Sequence, residues 1–299
     1  MTLQQLKYFL EIAKTKNFST AAKNLFVAQS SVSYAIHELE QELKVPLFVR
    51  DVNRKVTLTE YGEKYLPYAE RIFNLLDEGE NELKSMSNPL SGTVRMGFFY
   101  CVANSEIPKI FRQFYEDNPN CNIFLDFDVN HGQGSMDEQL LLGKFDLIIS
   151  AGDEIKNCDR VRIGRQKLKV IVANNHYLAD RKLVGLSDLD GIPLIGINPS
   201  SSIDGWIREM YRREGLKPDI SYCSNWITQF GYVAMNYGIA ISPSMPMYKD
   251  YIVELELDNP MNWRDLYLHW PQNRKLTKAA EFVRDYIVSA TDTSELIEG

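Results

Sequence analysis

Little in this sequence supports covalent, redox or metal chemistry. It holds four cysteines, Cys101, Cys121, Cys158 and Cys223, and no two form a C-x-x-C pair. That excludes a disulfide-framed secreted domain and the common cysteine–zinc spacings. The four histidines, His37, His131, His176 and His269, are scattered without metal-ligand spacing. There is no G-x-S-x-G elbow, P-loop, H-E-x-x-H or G-x-G-x-x-G. No apolar run approaches the ~18–20 residues of a membrane span. The start, MTLQQLKYFLEIAK, lacks the basic, apolar and small-residue zones of a signal peptide. A cytoplasmic protein with reduced thiols is expected, with no metal and no cofactor. Basic residues are in the minority too, 33 Lys and Arg against 40 Asp and Glu, a net charge of -7. Taken whole, that balance argues against coating nucleic acid by bulk charge.

What is present is a chain of 299 residues, 44% hydrophobic, of globular composition and a length that suggests about two domains. Leu3, Leu6, Phe9, Leu10 and Ala13 recur at helical steps, and Thr2 with Gln5 fits a capping box. Ser19 sits where the N-cap of a short second helix belongs, with Ala21, Ala22 and Leu25 on its apolar face. A third helix is predicted from Gln29 to Leu43, burying Val32, Ile36 and Leu39. Two β-prone stretches, ending at Val49 and starting at Val56, flank the basic tip Arg50-Asp51-Val52-Asn53-Arg54-Lys55. Three helices plus a basic hairpin outline a winged helix-turn-helix over residues 1–58. Residues 59–88 read as one long helix, capped by Thr59, whose stripe Tyr61, Tyr65, Tyr68, Ile72 and Leu75 suits packing against a second copy. From Gly92 strands and helices alternate, which predicts a parallel α/β architecture in two lobes.

The first 62 residues resemble the DNA-binding module of LysR-type transcriptional regulators. The matching elements are Phe18-Ser19-Thr20-Ala21-Ala22, Leu25, Gln29, Val32-Ser33, Ile36, Leu39-Glu40, Pro46-Leu47-Phe48, Arg50, Arg54, Val56, Leu58-Thr59 and Gly62. Further on, Gly92-Thr93-Val94-Arg95-Met96-Gly97, Gly143-Lys144-Phe145-Asp146-Leu147, His176-Tyr177-Leu178-Ala179 and Gly238-Ile239-Ala240-Ile241 resemble segments of the effector domain. The resemblance implies a periplasmic-binding-protein-like effector domain over residues 89–299. Lobe I would take about 89–162 and 268–299, and lobe II about 163–267. It also implies a small effector between the lobes, dimers joined through the linker helix, and dimers often paired into tetramers. Partners to be expected are double-stranded DNA with inverted-repeat half-sites and RNA polymerase.

A recognition helix in the major groove must present groups that hydrogen-bond to base edges. The third helix offers Gln29, Ser30, Ser31, Ser33, Tyr34 and His37, with Ser19 and Thr20 beside it and Arg50, Arg54 and Lys55 as backbone or minor-groove contacts. A Gln-Ser-Ser triplet is ordinarily a cap and a basic turn ordinarily a solvated loop; within this helix-turn-helix-wing order both read as DNA contacts. Ser30 stands where relatives often carry Pro, Tyr34 where they are often basic, and His37 where Arg is commoner. For the effector, strand ends and helix starts supply Phe99, Tyr100, Cys101, Asn104, Asn130, His131, Ser150, Asn198, Ser200, Ser201, Ser202, Trp226 and Ile227. Helix N-termini meeting at one cleft would suit a non-covalent anionic ligand. Core packing is the bland reading of each aromatic.

Three alternatives stay open: a thiol-responsive regulator acting through Cys101, an enzyme with an appended DNA-binding module, and a solute-binding protein. The charge divides in favour of a regulator. Residues 1–59 hold eight basic and five acidic side chains, which leaves -10 on the remaining 240 residues.

Overall fold

The computed structural model describes residues 1–50, 56–88, 90–98, 107–128, 136–151, 154–199, 201–244 and 248–292, with Arg50 described in its backbone alone. The chain divides into two compact units, Met1–Leu83 together with Leu142–Lys144, and the rest.

In the first unit, α1 (Leu3–Thr15) begins with the expected capping box, Gln5 N–H donating to Thr2 Oγ1 and Thr2 N–H to Gln5 Oε1. α2 (Phe18–Asn24) starts earlier than the spacing predicts: Asn17, not Ser19, is its N-cap, accepting from Thr20 N–H at 2.9 Å. Phe18 belongs inside because its ring is buried, 5.9 Å from that of Phe48. α3 (Gln29–Leu43) keeps its predicted bounds and its predicted buried face of Val32, Ile36 and Leu39. β1 (Phe48–Arg50) and β2 (Val56–Leu58) pair antiparallel, as the hairpin pattern requires. Glu40 of α3 ties the hairpin to the recognition helix by accepting from the N–H groups of Leu47 and Phe48 at 2.7 and 3.2 Å.

Thr59 caps α4 (Glu60–Ser87), its Oγ1 accepting from Gly62 N–H at 3.0 Å and donating to Pro46 O at 2.6 Å. The apolar stripe of α4 splits. Tyr65 and Ile72 pack against the helix-turn-helix core, with the Tyr65 ring 5.6 Å from Phe9, while Tyr61, Tyr68 and Leu75 stand exposed.

The second unit is built on an eight-stranded sheet, ordered β4 (Asn122–Asp128), β3 (Ser91–Phe98), β5 (Leu147–Ala151), β12 (Trp263–Pro271), β6 (Cys158–Ala173), β11 (Ile252–Leu257), β7 (Leu183–Val184), with β10 (Ala240–Pro243) also on β6. The expected parallel sheet is mixed. β3 pairs parallel with β4 and β5, whereas β12 and β6 run antiparallel to their neighbours. The reason is β6, a single strand of 16 residues. Its first part pairs with β12 in lobe I, and its second part with β10 and β11 in lobe II. The expected lobe divisions at 162/163 and 267/268 therefore fall inside two continuous strands that join the lobes.

α5 (Ile107–Asp117), α6 (Met136–Leu141) and α9 (Lys278–Asp292) flank lobe I. α7 (Ser202–Arg213), α8 (Trp226–Ala234) and a small parallel pair, β8 (Leu194–Gly196) with β9 (Ile220–Tyr222), belong to lobe II. One apolar core runs from Phe98, Phe114 and Val283 of lobe I to Ile195, Phe230 and Ala240 of lobe II, and a second, around Val170, Met210 and Leu255, lies in lobe II.

Candidate nucleic-acid interface and effector cleft

The first turn of α3 has no side-chain cap. Its N-cap residue is Ala28, so the Gln29 and Ser30 N–H groups have no capping side chain, while Ser31 N–H reaches the Ala28 carbonyl at 3.1 Å. That removes the bland reading of Gln29-Ser30-Ser31 as a cap and leaves a partial positive charge at an exposed helix end. Gln29, Ser30, Ser31, Tyr34 and His37 are exposed, and Ser33 is half-buried among them. Ser19 and Thr20 are also exposed; the Ser19 hydroxyl donates to Gln29 Oε1 at 2.9 Å. Thus the structure brings Ser19, Thr20 and the α3 face together. Phe26, in the turn before α3, was not foreseen: it takes a left-handed φ of 56° and is 95% exposed. The wing residues Arg54 and Lys55 lie outside the described residues, as does the Arg50 side chain.

In the second unit, Phe99, Tyr100, Cys101, Asn104, Asn130, His131 and Ser200 lie outside the described residues. The rest divide between caps and a cleft. Ser201 is the N-cap of α7, accepting from Asp204 N–H at 3.3 Å and donating to the Asn198 carbonyl at 2.8 Å. Asn225 caps α8, placing Trp226 half-buried against the apolar core that runs through both lobes, and Ile227 exposed. Ser202 is met by a residue the sequence reading missed. Arg264 on β12, 4% exposed, donates from Nη2 to the Ala151 carbonyl at 3.3 Å and to Ser202 Oγ at 2.9 Å. One guanidinium thus spans the end of β5 in lobe I and the start of α7 in lobe II. Nothing in Asn262-Trp263-Arg264-Asp265 marks the Arg as buried; only the alternation of the longer strand would have pointed inward.

Ser150 is buried, its Oγ 3.0 Å from Nε2 of His269. The pair resembles a nucleophile and base only in outline. His269 is fully enclosed and its Nδ1 has no hydrogen-bond partner, so no carboxylate orients the ring. Burial, with Arg160 nearby, pushes the imidazole down to about 4 and keeps it neutral. A cavity of about 10 Å³ lined by Ser201, Trp226 and Gln229 has room for a water at most.

Cys121, Cys158 and Cys223 are free thiols. Burial, with Asp137 and Asp159 nearby, pushes Cys158 up to about 11, and burial also raises Cys223, which opposes thiolate formation. Among the described residues no group of acidic, His and Cys side chains could hold a metal, and no helix is long and apolar enough to cross a membrane.

Comparison with known proteins agrees with this architecture. Over residues 3–63 the chain matches the family described as bacterial regulatory helix-turn-helix protein, lysR family, and over residues 87–292 the LysR substrate binding domain. It is 27% identical to the HTH-type transcriptional regulator YybE of Bacillus subtilis (strain 168), over 97% of this chain and 99% of the relative. The fold is similar to that of CbnR, a LysR family transcriptional regulator, with a TM-score of 0.76 at 19% identity, covering 97% of this chain and 99% of the other. The effector binding domain of QuiR in complex with shikimate matches at a TM-score of 0.61 and 24% identity, over 68% of this chain and 98% of the other. With a helix-turn-helix match at one end and a substrate-domain match along most of the remainder, the chain belongs to the LysR family of DNA-binding transcription regulators with an effector-binding domain.

Proposed function

We propose that this regulator reads double-stranded DNA by inserting α3 into the major groove. The observation that carries the reading is the first turn of α3, exposed and without a side-chain cap. Gln29, Ser30, Ser33 and Tyr34 would face base edges, while the first-turn N–H groups and Ser31 meet phosphate. His37 lies two turns further along the exposed face, and Arg50, Arg54 and Lys55 of the wing would carry backbone or minor-groove contact. Tyr61, Tyr68 and Leu75, exposed on α4, would pack against a second copy, so that two heads meet an inverted repeat. Tetramers, contact with RNA polymerase and a cytoplasmic location complete the reading, which includes no catalytic step. Gln29→Ala should weaken binding to a selected site more than to random DNA. Equal losses on both would refute the assignment.

The effector in this reading is a small organic anion held between the lobes. Arg264 supports it, since a buried guanidinium beside Ser202 and the α7 N-terminus favours a carboxylate or phosphate. QuiR, whose bound shikimate is a carboxylic acid, supplies a parallel. Thermal-shift screening with metabolites tests the idea. It fails if only cationic or neutral compounds stabilise the protein.

A further inference from the structure

Ser19 is the second residue of α2 and Gln29 the first of α3. Because Asn17 caps α2, the Ser19 hydroxyl is released from capping, and it donates to Gln29 Oε1 at 2.9 Å. One side-chain hydrogen bond therefore joins the two helices of the helix-turn-helix across ten residues. The Gln29 side chain makes no other hydrogen bond among the described residues, so both N–H groups of its Nε2 stay available.

Which end of the amide is held decides what it can read. A glutamine pairs with adenine by accepting from N6 and donating to N7. With its oxygen turned to Ser19, which takes one of its two lone pairs, the free end of the amide is the Nε2 donor, and the major-groove edges made of acceptors are guanine O6 and N7 and thymine O4. We propose that Ser19 is a positioning residue that holds the Gln29 amide with Nε2 outward, so that Gln29 reads a guanine or thymine acceptor edge. The inference rests on α3 lying in the major groove, and it names the base class that helix selects.

The test selects binding sites from a random duplex library with the full chain, as wild type, Ser19→Ala, Ser19→Thr, Gln29→Ala and the Ser19→Ala/Gln29→Ala double variant. Wild type should select guanine or thymine at one position per half-site. Ser19→Ala should flatten that position and bind the selected site about two- to tenfold more weakly. The loss on random DNA should be smaller than on the selected site, with the salt slope kept. Ser19→Thr should restore the preference, and adding Ser19→Ala to Gln29→Ala should cost nothing further. Equal weakening on selected and random DNA with a shallower salt slope would overturn the proposal and make Ser19 a phosphate contact. Selection of adenine at the Gln29-dependent position, in wild type and Ser19→Ala alike, would also overturn it. If Gln29→Ala leaves every selected position unchanged, the groove assignment of α3 itself has failed.

Discussion

Two glycines on one helix should respond in opposite directions to the same substitution. Gly62 and Gly79 both lie in α4. Alanine is favoured over glycine in a helix interior by about 1 kcal/mol. At Gly79 a Cβ would meet nothing within 4 Å, so Gly79→Ala should gain close to that amount. At Gly62 the added carbon would lie 2.2 Å from the Leu47 carbonyl oxygen and 2.9 Å from Leu58 Cδ2. Leu47 cannot easily yield: its N–H donates to Glu40 at 2.7 Å and its carbonyl accepts from Thr59 N–H at 2.9 Å. The first turn of α4 must retreat by about 1 Å to reach an ordinary C···O contact. Overpacking of that kind costs about 1–3 kcal/mol, and straining the Thr59–Leu47 bond adds about 1 kcal/mol. After the propensity gain, Gly62→Ala should lose about 2 kcal/mol, or about 10 °C of melting temperature for a unit of this size. All four tryptophans, Trp206, Trp226, Trp263 and Trp270, lie in the effector domain, so their fluorescence serves as an internal control that should not move. The head is followed by circular dichroism of its helices. An unchanged head transition in Gly62→Ala, or both variants moving the same way, would refute the argument.

Asp146, 3% exposed, accepts from the Arg95 N–H at 2.9 Å and faces the guanidinium groups of Arg95 and Arg274 at 3.7 and 3.1 Å. Asp146→Asn should destabilise the effector domain by about 3–5 kcal/mol in urea titrations, and a loss below 1 kcal/mol would show the charge to be dispensable. His269 is held neutral with its pKa near 4, against about 6.5 in the unfolded chain. The unfolded chain therefore takes up this proton first, and stability falls as pH drops from about 6.5 to 4, by about 3 kcal/mol, then levels. His269→Gln should remove that share of the slope, read by tryptophan fluorescence in urea; superimposable profiles would contradict it. Arg264→Met should abolish the thermal shift given by an anionic effector while leaving DNA binding without effector intact, and a retained shift would place the anion elsewhere.

The head was legible almost to the residue because its signals are local and redundant. Val32, Ile36 and Leu39 set one face of α3, and the basic tip between two apolar stretches marks a hairpin without tertiary help. The cap of α2 was not, because Asn17 and Ser19 are both good cap formers and only the burial of Phe18 decides between them. In the effector domain, β11 carries Glu254 and Glu256 between buried Ile252, Leu255 and Leu257, a pattern that was readable and passed over. The first part of β6 is harder. Arg160, Arg162 and Arg165 give the segment a charged, loop-like composition, yet they belong to a strand whose Ile163 is buried. Arg264 shares the inward phase of Leu266 and Leu268, but its burial depends on β12 meeting β6, more than ninety residues away in sequence.

The charge balance and the uncapped helix bear on one another. A head with a surplus of three positive charges releases few counterions, and its recognition helix presents neutral Gln29, Ser30, Ser33 and Tyr34. In the proposed complex its electrostatic gain would come instead from the wing and from the α3 N-terminus, which acts as about half a charge. Non-specific affinity should therefore be low, which favours discrimination, because the contacts that remain are base contacts and oriented N–H groups. Low affinity per head then has to be offset by joining heads. In the proposed dimer the exposed row of Tyr61, Tyr68 and Leu75, spaced by seven residues, would provide the means, since fully burying each such side chain contributes about 1.5–3 kcal/mol. Once two heads are joined, the second binds as an intramolecular event, at an effective concentration near millimolar for a short link. In this reading the acidic sensor does not oppose DNA recognition. It keeps the bulk of the chain from adhering to DNA, so that binding depends on the two small heads and on the spacing between them.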